Sequence, residues 1–280
     1  MFRGSMVAIV TPFKGDKVDE AAYRKLVEFH IKNGTSAIVP CGTTGESATL
    51  DYEEHDRVIE LTVEYVKGRV PVIAGTGSNS TKEAIMLTKH AKKVGANASL
   101  QVSPYYNRPT QKGLYEHFKA IAEAADMPII LYNIASRTGV NIEPETMARM
   151  AKDCSLDQMS RIKQLCGDKF DLISGDDSLT LPILAIGGTG IISVVANIVP
   201  KDVADMVAAF EKGNMKEAVR LHYKLLPITK AMFIETNPIP VKTAMGLMGL
   251  CEPGLRLPMC SMADENLAKL TKALQDYKLI

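Results

Sequence analysis

ETMARMAKDCSLDQMSRIKQL, residues 145–165, is the stretch on which the fold turns. Apolar residues recur at Met147, Met150 and Ala151, and again at Leu156, Met159, Ile162 and Leu165. Spacing by three and four places side chains on one face of a helix, so two amphipathic helices follow one another here. Asp153 or Ser155 ends the first and caps the second, because a short polar side chain accepts a hydrogen bond from a free helical N–H. No strand stands between them, although the chain on either side alternates strand and helix.

Seven short apolar runs carry the strand signal: MVAIVTP (6–12), SAIVPCGTTG (36–45), VPVIAGTG (70–77), ASLQVSPYY (98–106), PIILYNIAS (128–136), FDLISGDD (170–177) and TGIISVVAN (189–197). They recur at roughly thirty residues, the length of a βαβ unit. Helical patterns fill the gaps, as at 20–34, 52–68 and 81–95, and the last two end on Gly68 and Gly95, suited to a left-handed cap. The strand runs are continuous, not alternating, so both faces are buried, as in a parallel sheet. An open doubly wound sheet and a closed (β/α)8 barrel both fit this order, and 280 residues suit a barrel. The step from PIILYNIAS to FDLISGDD covers about forty residues and two helices, as expected of a barrel whose sixth strand is missing. After residue 197 the pattern is helical, which divides the chain into a barrel, 1–212, and a helical C-terminal domain, 213–280.

A formal net charge of +1 gives no electrostatic basis for binding nucleic acid or an anionic membrane. Five scattered cysteines without CxxC spacing point to reduced thiols in a cytoplasmic protein, not to disulfides or zinc. The five histidines show no HExxH or HxxH spacing. The N-terminal apolar run is too short for a signal peptide. LPILAIGGTGIISVVANIVP (181–200) has the length of a membrane span, but Gly187, Gly188, Gly190 and Asn197 divide it into a helix end, a turn and a buried strand.

In a parallel α/β fold, chemistry gathers at the C-terminal ends of the strands. GTTGES (42–47) offers successive N–H groups and the hydroxyls of Thr43 and Thr44 as a nest for an anion; equally, it is a tight turn with Ser47 or Thr49 capping the next helix. SPYYNRP (103–109) reads more readily as packing and a surface turn. YNIASRTG (132–139) brings Tyr132, a phenol able to relay protons, and Arg137, a planar fork for a carboxylate. Asp176 and Asp177 are adjacent, and neighbours in a strand point apart, which disfavours a shared cation. GTGSNS lacks the third glycine of a dinucleotide fingerprint. These ends describe a pocket for a small carboxylate. Activating a 2-oxo acid takes a lysine imine or a metal. No lysine lies at any of the seven strand ends: Lys152 and Lys163 fall in the helical run, Lys242 in the C-terminal extension.

In this order, GTTGES, YYNRP, LYNIASRTG and SGDD resemble the dihydrodipicolinate synthase family, within the pyruvate-dependent class I aldolases and lyases. The resemblance runs from GSMVAIVTPF (4–13) to NPIPVKTAMGLMGL (237–250) and LRLPM (255–259). It implies a (β/α)8 TIM barrel with a helical C-terminal extension, a homotetramer, and condensation of pyruvate with aspartate semialdehyde in lysine biosynthesis without metal or organic cofactor. By position, Thr43, Tyr132 and Tyr106 would form a proton relay, Tyr106 coming from a neighbouring subunit. Thr44 would hold the pyruvate carboxylate, Arg137 would receive the semialdehyde carboxylate, and Gly175 and Ile192 would line the pocket. Ser47, Ala48, His55, Asn79, Glu83 and Tyr105 match the lysine-inhibitor site of sensitive members, and Tyr52 stands where some of those have a histidine.

The departure lies at the opening stretch. The family carries a strand like NIVGIKEASG between its fifth and sixth helices, and that strand's lysine forms the Schiff base. Here Cys154 runs straight into Ser155, so about ten residues and the lysine are absent. Two further readings share these residues. One is another pyruvate-dependent aldolase such as an N-acetylneuraminate lyase, against which Arg137 argues. The other is a catalytically inactive lysine- or pyruvate-binding homologue.

Overall fold

The structure, a computed structural model, describes residues 2–150, 156–167 and 171–280. Strand β1 (Gly4–Ala8) is followed by a small hairpin, β2 (Phe13–Lys14) and β3 (Lys17–Val18). Helix and strand then alternate: α1 (Glu20–Lys32), β4 (Ala37–Val39), α2 (Tyr52–Val66), β5 (Ile73–Gly75), α3 (Thr81–Val94), β6 (Ala98–Val102), α4 (Gln111–Ala125) and β7 (Ile129–Tyr132). A short helix α5 (Ala135–Thr138), α6 (Pro144–Met150) and α7 (Leu156–Cys166) precede β8 (Ile173–Ser174), α8 (Thr180–Ala185) and β9 (Gly190–Ser193). Four helices close the chain: α9 (Pro200–Glu211), α10 (Met215–Met232), α11 (Ile239–Leu247) and α12 (Asp264–Tyr277).

Seven parallel strands run in the order β8–β9–β1–β4–β5–β6–β7. The first strand pairs with the last, Met6 opposite Ile192, and an isolated parallel bridge, Ile38 to Val72, joins β4 to β5. This is a TIM barrel in which, among the described residues, one strand position is unfilled. Among the described residues β7 and β8 do not pair, and each is an edge. The continuous apolar runs now have their reason. Met6, Val39, Ile73, Leu100, Ile130 and Ile173 point into the barrel, while Val7, Ile38 and Ala74 point outward against the helices. Both sets are buried, so no polar position is left to mark the alternation.

Where the ladder is broken, packing spans the break. Met159 of α7 joins Leu172 and Ile183 beside β8, whereas Ile162, one turn on, joins Leu114, Leu131 and Met147 beside β7. The stripe ends sooner than its spacing predicts. Leu165 is exposed, and Cys166 packs in its place. Lys152, Asp153, Cys154 and Ser155, and with them the junction itself, lie outside the described residues.

Several local expectations change. Helix α2 is capped by Asp51, which accepts from Glu54 N, while Ser47–Thr49 form a single 3-10 turn. The same helix ends with Lys67 in the left-handed region as well as Gly68, and both Gly68 and Gly95 are left-handed as expected. Asp176 and Asp177 lie beyond the two-residue strand β8, so strand alternation does not govern them. Residues 181–200 form α8, a turn, β9 and the start of α9, and among the described residues no helix is long and apolar enough to cross a membrane.

An edge strand exposes backbone groups that an inner strand spends on both neighbours. In hydrogen–deuterium exchange, amides of Ile129–Tyr132 directed away from β6 should therefore exchange on the order of tenfold faster than those of β1. Equal protection would show that β7 is paired on both sides.

Candidate functional site

The C-terminal ends of the strands surround a cavity of about 110 Å³. Its walls include Thr43, Thr44, Tyr132, Arg137, Gly175 and Ile192, the residues expected there apart from Tyr106. Each arrives on a loop fixed by its strand: Thr43 and Thr44 after β4, Tyr132 at the end of β7, Arg137 just after it, Gly175 after β8, and Ile192 within β9.

The 42–47 loop is shaped by its own backbone. The N–H groups of Gly45 and Ser47 bond back to the Gly42 carbonyl, and Glu46 N bonds to Thr43 O. The N–H groups of Thr43 and Thr44 make no hydrogen bond among the described residues, and both residues line the cavity. Two adjacent free donors are what an anion nest requires. Cys41 and Glu46 hold the loop with φ of +54° each, an unusual conformation for side-chain-bearing residues. The loop also lies hard against β5, where a Cβ on Gly75 would collide with the Cys41 carbonyl.

Glu46 turns away from the cavity into the protein. Its carboxylate meets Lys242 Nζ at 2.6 Å, with both side chains essentially inaccessible (1% and 0%). Lys242 also donates to Thr11 O at 2.9 Å and lies over the Phe13 ring, and the second Glu46 oxygen accepts from Arg256 N. Burial pushes the Lys242 ammonium below its ordinary range, opposed by the adjacent carboxylate. Lys242 is thus fully engaged in structure. Lys163 stands elsewhere: its Cε is 3.1 Å from where a Cβ on Gly187 would be, ahead of β9 and at the opposite end of the barrel from the cavity.

A second cavity, about 280 Å³, shares Gly42, Thr43, Tyr132, Arg137 and Asn237 with the first and extends to Ser47, Ala48 and Tyr105. Asn79 donates to the Tyr105 carbonyl at 3.2 Å, and Glu83 accepts from Tyr52 and Ser78 beside it. His55 lies buried under this group, and burial lowers its pKa. The fold therefore gathers Ser47, Ala48, Asn79, Glu83 and Tyr105 on one side of the pocket. Tyr106 is separate. It is 92% exposed with φ of +72°, so within one chain it reaches no wall of the cavity.

A third opening, about 570 Å³, lies between the ends of β7 and β8 and is lined by Tyr132, Asn133, Gly175, Asp176, Met159 and Lys230, among others. Among the described residues, no lysine lines either of the two smaller cavities. Among the described residues no group of three or more His, Cys, Asp or Glu is placed to hold a metal. Asp177 serves the scaffold: it is buried and accepts from Ser193 Oγ and from the N–H groups of Val194 and Val195.

The family model for the dihydrodipicolinate synthetase family matches residues 1–277. The chain belongs to this family. The 4-hydroxy-tetrahydrodipicolinate synthase of Citrifermentans bemidjiense, a lyase, is 60% identical over 290 residues, covering all of both chains. As this chain has 280 residues, ten of those positions have no counterpart in it. Two solved members of the family share the fold. The chloride-inhibited enzyme of Acinetobacter baumannii complexed with pyruvate superposes with a TM-score of 0.97 at 44% identity, covering all of both chains. The Cyanidioschyzon merolae enzyme with lysine bound gives 0.95 at 40% identity, covering 100% of this chain and 99% of that one.

Sequence reasoning missed Asn237. It lines both smaller cavities and donates to Thr44, yet it lies in the helical C-terminal region, far from every strand end. The only local signal was a polar residue at the start of the Pro-rich NPIP turn, ahead of an apolar helix.

Two outcomes follow from the buried groups. Lys242→Met leaves the Glu46 carboxylate dry and unpaired, which should cost about 3–5 kcal/mol in urea unfolding; a loss below about 1 kcal/mol would show that water reaches the pair. Asp177 has its pKa raised by burial from 3.8 to about 6, against hydrogen bonds that favour the ionised form. The folded state therefore keeps a proton that the unfolded chain loses, and stability should fall by roughly 3 kcal/mol as pH rises from 3.8 to about 6. Asp177→Asn should flatten that part of the stability–pH curve, and an unchanged slope would assign it to another group.

Proposed function

We propose that this pocket is that of a 4-hydroxy-tetrahydrodipicolinate synthase, taking pyruvate at Thr43 and Thr44 and the carboxylate of L-aspartate 4-semialdehyde at Arg137. The observation that carries the reading is the free N–H pair of Thr43 and Thr44 in one cavity with Tyr132 and Arg137. A nest of donors at the base and a guanidinium at the mouth suit two short ligands that each present a carboxylate. Tyr132 and Thr43 would pass protons, completed by Tyr106 of a second subunit in a homotetramer. The outward, left-handed Tyr106 supports this, since a strained and fully exposed aromatic gains little in a monomer. Lysine would act as inhibitor in the second cavity, its amino group toward Glu83, near Asn79, Tyr105 and His55, with Ser47 and Ala48 beside them. The Cyanidioschyzon merolae enzyme with lysine bound supports that assignment.

Condensing pyruvate with an aldehyde needs C2 of the keto acid activated, and in a site without metal ligands that takes an amine. With no lysine among the described residues in the walls of either smaller cavity, this 280-residue chain would hold pyruvate without condensing it. On this reading the catalytic lineage and the binding pocket remain without the family's nucleophile among the described residues.

Intact mass spectrometry after incubation with pyruvate and borohydride tests this. The expected result is an unshifted parent at 30.5 kDa and no turnover with aspartate semialdehyde. A parent heavier by one reduced pyruvate would overturn the reading, and peptide mapping would then say whether Lys230, Lys163 or another amine had formed the imine.

A further inference from the structure

The helical C-terminal region enters the pocket through Asn237, immediately before α11, for which the proposed relay has no use. Asn237 is 5% exposed and lines both smaller cavities. Its Nδ2 donates to Thr44 Oγ1 at 2.9 Å, and its main-chain carbonyl accepts from Arg137 Nη2 at 3.2 Å. Thr44 and Arg137 stand on separate loops, after β4 and after β7. Asn237 is the bond they have in common. It is itself held in place, because Lys242, five residues further on, is locked to Glu46 of the Thr44 loop.

The direction of the Asn237–Thr44 bond bears on ligand choice. A hydroxyl has one proton to give and two acceptor positions. With Asn237 as donor, the Thr44 oxygen accepts and its proton is left for a ligand. A carboxylate can only accept, so it requires that proton. The Asn237 Oδ1 is meanwhile buried with no hydrogen bond among the described residues.

The geometry points to Asn237 as a positioning residue for carboxylate recognition: it turns the Thr44 hydroxyl into a donor and tethers Arg137 at the mouth. The inference rests on the pocket proposed above and adds a specificity element from outside the barrel loops. Asn237 touches no reacting atom; it acts through Thr44 and Arg137.

Calorimetric titration of pyruvate into the full 280-residue chain is the test, with Asn237→Ala, Thr44→Val and the double variant, each checked for cooperative melting. Hydrogen bonds to charged groups are worth enough that Asn237→Ala should weaken pyruvate binding by about tenfold, but by less than about twofold when Thr44 is already Val. Asn237→Asp, nearly the same size, should weaken binding further, because a carboxylate there takes the Thr44 proton and repels the ligand. An Ala variant that binds as well as the parent overturns the inference, as does an equal loss in both backgrounds, which would mark a purely structural role. If the Ala variant does not fold, undiminished binding by the Asp variant overturns it alone. A parent chain that binds no pyruvate overturns the pocket reading itself; a parent that binds, with variants that bind equally, overturns only the role of Asn237.

Discussion

The Glu46–Lys242 pair holds the site in shape. It joins residues 196 positions apart and takes both charges out of water. Desolvating two ions costs several kcal/mol each, and their attraction offsets this only when the remaining donors and acceptors are satisfied. Here they largely are: Lys242 also reaches the Thr11 carbonyl, and Glu46 also accepts from Arg256 N. What such a pair supplies is position more than net stability. Glu46 sits with φ of +54° at the far end of the turn that presents Thr43 and Thr44, and Lys242 anchors α11 against that turn. The same anchorage brings Asn237 to Thr44. The carboxylate-facing groups are therefore set by a contact between the first and last thirds of the chain.

The second constraint is closure. A barrel leaves no edges only when every strand position is occupied. In this chain β1 and β9 seal the seam between start and end, while among the described residues β7 and β8 remain edges facing an opening of about 570 Å³. Helix α7 partly compensates from outside, with Met159 on the β8 side and Ile162 on the β7 side. Apolar packing carries no register, so α7 can hold the two walls near one another without replacing the lost ladder. The opening lies beside the pocket, where Tyr132 and Gly175 face each other, a Cβ on the glycine falling 3.8 Å from the tyrosine ring. A missing strand thus leaves the scaffold recognisable and opens the pocket at one wall.

Much of this was legible along the chain because it is local. The seven strands, their parallel arrangement and the pocket residues Thr43, Thr44, Tyr132 and Arg137 follow from apolar runs and from the polar loops at their ends, whereas Gly175 and Ile192 were expected there from the family resemblance. The absent strand was equally plain, since 145–165 contains helical spacing and nothing else, and the ten positions by which a relative's match exceeds this chain agree with it. Details failed where neighbours in space outweigh neighbours in sequence. Leu165 continues the helical stripe but α7 turns it to solvent, and Ser47 and Thr49 have cap chemistry yet Asp51 supplies the cap.

What the sequence determined by itself was therefore the set of elements, their order, the polar loops that face the pocket and the lack of a lysine at the seven strand ends. Tertiary structure alone decided that Asn237 joins Thr44 to Arg137, that Lys242 is spent on Glu46, that Lys163 lies at the far end of the barrel, and that Tyr106 points away from its own cavity. Periodicity and loop chemistry act over a few residues, whereas the Asn237–Thr44 bond spans 193. Contacts of that reach exist only after the barrel has closed on its first and last strands, so no window of sequence could contain them.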